Sequence, residues 1–123
     1  MELVIQLLIG IIAAIHAYIL WFEMFAWETK GKKIFTRFPV DLFAKTKEMA
    51  ANQGLYNGFL AAGLIWTFFI RNADWSSYVS LFFLCCVVVA GVYGAFTVAR
   101  KIFFVQAVPA LVAIVLLLID FCC

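Results

Sequence analysis

The chain has 123 residues, of which 67% are hydrophobic, 18% aromatic and 13% charged. A soluble domain contains about 45–50% apolar and about 25% charged residues, and a globule of this length buries only about two-thirds of its surface, so the composition excludes an ordinary soluble protein. The net charge of +2 is small and the cations form no exposed stripe, so we expect membrane lipids and no nucleic acid as partners.

Four stretches are long and apolar enough to cross a hydrocarbon core, which requires roughly 20 mostly apolar residues per helix. They cover residues 3–27, 50–70, 77–99 and 102–120. They are too long and too continuous for barrel strands, which alternate over about ten residues. We therefore predict an all-α integral membrane four-helix bundle that forms a single domain over residues 1–123. Glu2 rather than a basic cluster precedes the first stretch, so we expect that stretch to be retained.

The positions of the cations predict how the chain is oriented. All lysines and arginines except Arg71 lie in the first and third connections. The positive-inside rule then places these connections in the cytoplasm and both termini outside. We expect a multi-pass protein of the inner cell membrane.

The first connection is long and basic, and residues 39–49 within it have helical spacing of apolar side chains. We expect an interfacial helix or a cytoplasmic extension of the second stretch. The cations either contact anionic lipid head groups or serve only to retain the loop in the cytoplasm.

Small residues recur every four positions in the second and third stretches, at Gly54, Gly58 and Ala62 and at Gly91, Ala95 and Ala99. Such rows let helix backbones approach closely, within the bundle or at a subunit interface. We expect a homo-oligomer, either a trimer or a dimer. Pro109 interrupts the fourth stretch and frees the carbonyl group of Val105, which predicts a kink there.

Ionisable and amide groups are costly in hydrocarbon unless they face protein or water. His16 and Glu23 are seven residues apart and lie on one stripe of the first helix, with Glu23 roughly 6 Å from its cytoplasmic end. Similar depths in the other helices carry further polar side chains, namely Asn52, Gln53, Tyr56, Asn57, Tyr93 and Gln106. Arg100 lies in the third connection, at the mouth of the expected pocket, as a further candidate ligand-binding residue. We expect a pocket open to the cytoplasm and an outer half that is almost purely aliphatic and aromatic.

His16 and Glu23 are the candidate catalytic residues, and the polar side chains of the other helices are the candidate ligand-binding residues. Such a group is suited to a proton relay, an acid/base pair or a ligand-orienting site, or it is purely structural. The ligands are too few for a zinc site, and no cofactor is indicated. Cys122 and Cys123 are either a simple chain end or the site of an intermolecular disulfide.

The leading hypothesis is a protein that binds a small amphipathic or lipophilic molecule in this pocket, with catalysis on that molecule left open. An oligomeric proton-coupled transporter is the first alternative, with His16 or Glu23 carrying the proton. A non-catalytic accessory or structural protein is the second.

Three segments carry a resemblance to a known family: HAYILWFEMFAW at 16–27, NQGLYNGFLAAG at 52–63 and GVYG at 91–94. With these motifs the chain resembles short four-helix bacterial membrane proteins catalogued as domain of unknown function 1304. This resemblance covers nearly the whole chain and implies a fold and a location, with no activity.

A more distant likeness connects the chain to the MAPEG group, membrane proteins of eicosanoid and glutathione metabolism. It rests on Asn52, Arg100, Gln106 and Pro109, and implies external termini, usually three subunits and a ligand in the cytoplasmic half. That group has Arg and Glu where this chain has Glu48 and Leu55, which favours a similar scaffold with a different ligand over glutathione transfer.

Overall fold

The computed structural model describes residues 2–123, and over these residues the protein is all-α, with six α-helices and no strand. The helices are α1 Glu2–Phe25, α2 Lys32–Ile34, α3 Val40–Lys45, α4 Lys47–Trp66, α5 Ala73–Thr97 and α6 Val108–Cys122. Trp27–Gly31 and Phe103–Ala107 form π-helical turns, and Thr67–Phe69 forms a 3₁₀ turn. The all-α prediction is confirmed.

Within residues 2–123, three stretches have the length and apolar composition to cross a membrane: Glu2–Phe25, Ala73–Thr97 and Phe103–Cys122. They correspond to the first, third and fourth predicted stretches, with ends that differ by at most four residues. The second predicted stretch is helical as α4 but carries several polar side chains in its first half. Membrane crossing by α4 therefore stays a prediction.

The chain divides into two compact units. The first, here called the core unit, combines residues 2–15 with Leu60–Cys123, and the second, the loop unit, is His16–Phe59. The core unit is held together by apolar side chains at helical spacing. The buried members of this cluster are Ile5, Ile9, Ile12 and Ala13 of α1, Leu64 of α4, Leu84 and Val87 of α5, and Ala110, Ala113 and Leu117 of α6.

Pro109 determines how α6 begins. Proline has no N–H, so the carbonyl group of Val105 lacks its ordinary helical partner. The preceding residues widen into the π turn, in which the Val108 N–H donates to Phe103 O. This turn packs closely on α5, because a Cβ atom at Gly91 would lie only 2.8 Å from Ala107 N. The predicted kink therefore takes the form of a π turn that requires glycine at position 91.

An aromatic cluster organises the loop unit. Its rings belong to Phe22, Trp27, Phe35, Phe38 and Phe43, with neighbouring centroids 5.2–6.4 Å apart. The Phe43 ring is fully buried, and it packs where a side chain at Gly31 would otherwise lie. The first connection is therefore a folded segment and not an extended loop.

The residues predicted as one helix over 39–49 divide at Thr46 into α3 and the start of α4. The Thr46 hydroxyl donates to Leu42 O at 2.8 Å and accepts the Trp27 Nε1–H at 3.0 Å. α3 is thus a separate short helix, and α4 begins three residues before the predicted stretch. An interfacial position of α3 stays a prediction.

Candidate functional site

In the loop unit, glycines bring the first half of α4 against the last turns of α1. A Cβ atom at Gly54 would lie 3.0 Å from Leu20 O and 3.0 Å from Glu23 Cβ. The Leu20 side chain occupies the space next to Gly58, where a Cβ atom would clash with it. Two members of the predicted small-residue row therefore permit the close approach that places polar groups of α4 beside Glu23.

The centre of the site is a hydrogen bond between Glu23 and Asn57. Asn57 Nδ2 donates to Glu23 Oε2 at 3.1 Å and also to Gln53 O, one turn earlier in its own helix, at 3.1 Å. Both side chains are half-buried. Among residues 2–123 the Glu23 carboxylate has no other hydrogen-bond donor and no ion-pair partner, so its second oxygen is available to a ligand or to water.

His16 is fully buried, in keeping with a position deep in α1. Seven residues of α-helix separate it from Glu23 by about 10 Å along the helix axis. The Glu23 carboxylate accepts its hydrogen bond from Asn57 Nδ2. A proton transfer between His16 and Glu23 would therefore need an intervening group.

The other predicted site residues are distributed over both units. In the loop unit, Asn52, Gln53 and Tyr56 are exposed on α4. In the core unit, Tyr93 is exposed on α5, Arg100 is exposed after the end of α5, and Gln106 is half-buried in the second π turn. Of the whole predicted set, Glu23 and Asn57 form a hydrogen bond with each other.

Two cations of the loop unit have defined partners. The Lys30 ammonium lies 4.7 Å from the centroid of the Trp21 ring. Lys47 Nζ at the start of α4 is 3.0 Å from Glu28 Oε2 in the first π turn. The basic first connection is thus tied to the ends of the helices that carry Glu23 and Asn57.

The core unit contains a polar cavity that the sequence did not predict. Hydroxyl groups of Thr67, Ser76 and Ser80 line it, together with the charged side chains of Arg71 and Asp120. We predicted an outer half that is almost purely aliphatic and aromatic, and whether this cavity lies in the outer half stays a prediction. These lining residues lie in different elements, so no single sequence motif predicts the cavity. One available signal is the cluster of hydroxyl groups at the start of a membrane-compatible helix, formed by Ser76, Ser77 and Ser80.

Within the described part of the chain, no group of three His, Cys, Asp or Glu side chains could hold a metal ion. The four cysteines are free, and Cys122 and Cys123 are both exposed.

Comparison with known proteins defines the chain's relatives. Residues 10–118 match the family described as "Protein of unknown function (DUF1304)". The chain is also similar to "Uncharacterized protein YpaA" of Lactococcus lactis subsp. lactis (strain IL1403), with 25% identity over 115 residues that cover 91% of this chain and 95% of the relative. No solved structure matches the chain. The likeness to the MAPEG group rests on the individual residues named above alone.

Proposed function

Since the chain belongs to the family of unknown function DUF1304, we propose its function from its own residues: it is a multi-pass membrane protein that binds a small amphipathic or lipophilic molecule at the Glu23–Asn57 pair. The observation that carries this proposal is a half-buried carboxylate that has one hydrogen-bond donor within residues 2–123, in a helix long and apolar enough to cross a membrane.

A carboxylate in such a helix is costly unless all of its oxygens find donors. Asn57 donates a hydrogen bond to one carboxylate oxygen, and a hydroxyl or ammonium group of a bound molecule would donate to the other. Asn57 is itself held in position by Gln53 O, so the site is oriented before a ligand arrives. In this proposal Glu23 anchors the polar end of the molecule and Asn57 positions Glu23.

The remaining predicted residues take supporting roles in the same proposal. His16 is the deeper polar partner, and Asn52, Gln53 and Tyr56 offer exposed hydrogen-bonding groups on α4. Tyr93, Arg100 and Gln106 belong to the core unit and stay predicted ligand-binding residues, with Arg100 as an anion contact. Location in the inner membrane, a cytoplasmic first connection and a homo-oligomer belong to the proposal as well.

The test is purification of the wild-type protein and the Glu23→Gln variant from native membranes, followed by mass spectrometry of the small molecules that co-purify. The variant keeps the size of the side chain and can still accept from Asn57, but it loses the charge. We expect the wild type to retain a molecule that the variant loses. Glu48→Gln is the matched control, because Glu48 is an exposed carboxylate on α4 with no hydrogen-bond or ion-pair partner in residues 2–123.

Equal retention by wild type and Glu23→Gln would exclude this site. A second measurement separates binding from transport, because a carboxylate with an available oxygen in a membrane helix is also the group that a proton-coupled transporter needs. Proton uptake into proteoliposomes that depends on the co-purified molecule and is lost in Glu23→Gln would identify a transporter. Absence of any bound molecule, with unchanged behaviour of the variant, would favour an accessory or structural protein.

A further inference from the structure

The core unit holds a cavity of about 390 Å³ that has no part in the proposal above. It lies where α1 begins, α4 passes into its 3₁₀ turn, α5 begins and α6 ends. Small-molecule sites have volumes of about 300–1,000 Å³, so the cavity is large enough for a small ligand. All of its lining residues belong to the core unit.

The hydroxyl groups of the cavity present hydrogen-bond acceptors. Thr67 Oγ1 donates to Leu64 O at 2.6 Å, Ser76 Oγ to Thr67 O at 2.9 Å, and Ser80 Oγ to Ser76 O at 2.7 Å. A hydroxyl has one proton and two lone pairs. Because the protons of these three hydroxyls are already used by backbone carbonyls, the three side chains offer lone pairs that can accept from N–H or O–H groups of a ligand.

The charged side chains of the cavity indicate a ligand with both signs of charge. Glu2 and Asp120 add carboxylate oxygens to the acceptors, whereas Arg71 is the one cation of the lining within residues 2–123. Within residues 2–123, neither Arg71 nor Asp120 forms an ion pair. An ammonium group suits the carboxylates and hydroxyls, and a phosphate suits the guanidinium group, which binds phosphate in a bidentate manner.

The apolar part of the lining accommodates carbon atoms. Ile5, Ile9 and Leu117 line the cavity and are nearly fully buried members of the hydrophobic cluster. A ligand with a short carbon chain or an acyl chain can therefore contact them while its polar groups meet the hydroxyls and charges.

We propose that this cavity binds a zwitterion of the phosphoethanolamine class, either free or as a lipid head group. Its primary ammonium contacts the oxygens of Ser80 and Asp120, and its phosphate contacts Arg71. The proposal uses none of the residues of the Glu23 site, so either proposal can fail without the other.

The experiment compares ethanolamine and choline compounds, which differ in whether the ammonium carries N–H groups. The full-length protein is placed in nanodiscs that contain equal amounts of phosphatidylethanolamine and phosphatidylcholine, and lipid retained by the protein is quantified by native mass spectrometry. In detergent, soluble phosphoethanolamine and phosphocholine are titrated separately. We expect the ethanolamine compound to be favoured at least tenfold in one or both arms. Binding of soluble phosphoethanolamine identifies a free ligand, and selectivity confined to the nanodiscs identifies a lipid head group.

Variants of the lining residues test whether the compound binds in this cavity. Asp120→Asn and Ser80→Ala each remove an acceptor, and we expect each to reduce the retention of the ethanolamine compound about tenfold. Asp74→Asn is the matched control, since Asp74 is exposed in the first turn of α5 and lies outside the cavity lining, and it should leave retention within twofold of wild type. Asp120 is exposed, so its variant tests the site even if Ser80→Ala impairs folding. Equal retention of the two compounds, no retention of either, or equal losses in the two aspartate variants would overturn the proposal.

Discussion

Asn57 is the residue through which α4 stabilises a carboxylate on α1 within the loop unit. Its amide nitrogen has two protons, and the structure uses them for Gln53 O and Glu23 Oε2. The bond to its own helix limits the side-chain rotation of Asn57, so the second proton points toward Glu23. Gly54 completes the arrangement, because a Cβ atom there would lie 3.0 Å from Leu20 O and from Glu23 Cβ, so a larger residue would require these neighbours to shift.

The Asn57→Ala variant measures how much this arrangement contributes to stability. We expect its free energy of unfolding to fall by about 1–3 kcal/mol, because the half-buried carboxylate loses its only donor. Asn52→Ala is the control, since Asn52 is exposed on the same helix and the gain in helix propensity is the same in both variants. Reversible unfolding in mixed detergent, followed by circular dichroism, gives both values. Equal stabilities of the two variants would contradict a stabilising role for Asn57.

At the residue scale, spacing and depth in the sequence predicted Glu23 and the amides of α4 as site residues. They could not show which amide contacts Glu23. Asn52, Gln53 and Asn57 lie within two turns of one helix, and which of them faces α1 depends on the rotation of that helix. Gly54 and Gly58 determine that rotation, because the contacting face of α4 is the one without side chains. The glycines were predicted to be packing sites, yet their link to Asn57 is visible only in three dimensions.

At the scale of elements, one hydrogen bond joins distant segments of the first connection. Trp27 Nε1 in the first π turn donates to Thr46 Oγ1 between α3 and α4, across 19 residues of chain. The Trp27 ring also contacts Phe43, with centroids 5.2 Å apart, so the indole combines apolar packing with a polar contact. This combination holds α3 against the end of α1 and explains why a segment rich in lysine is folded.

The Trp27→Phe variant removes the N–H donor and keeps an aromatic ring. We expect the connection to open more readily by about 1 kcal/mol, which is about a fivefold faster cleavage by trypsin at Lys32, Lys33 and Arg37. Trp66→Phe serves as the control, because Trp66 is exposed at the end of α4 and has no hydrogen bond within residues 2–123. An unchanged cleavage rate in Trp27→Phe would show that packing alone holds the connection.

The elements themselves were predictable to different degrees. Long apolar runs define α1, α5 and α6 because lipid imposes a minimum length on a spanning helix. The π turns and the break at Thr46 have no comparable sequence signal, because they change the backbone hydrogen-bond register and not the apolar composition of the segment. Pro109 is the exception, because its missing N–H forces a change of register whose place can be read from the sequence.

At the scale of the whole molecule, the apolar surface is the dominant property. Large side chains such as Phe96 and Phe69 are 87% and 76% exposed, which in water would be an extensive apolar surface. The three membrane-compatible helices account for much of it, and α4 is the element whose relation to the membrane decides the topology. An even number of crossings between two points of a chain leaves them on the same side, and an odd number separates them.

Single cysteines on either side of α4 therefore test whether it crosses. In a background with all four native cysteines replaced by serine, we would introduce Thr36→Cys before α4 and Asp74→Cys after it, both at exposed positions. The positive-inside rule predicts that a membrane-impermeant maleimide labels position 74 in spheroplasts but labels position 36 only after permeabilisation. Equal accessibility of the two positions would mean that α4 does not cross. The three membrane-compatible helices do not lie between positions 36 and 74, so without a crossing by α4 both positions are on the same side of the membrane. The basic connection would then be on the same side of the membrane as Arg71, and the distribution of the cations would no longer predict the orientation.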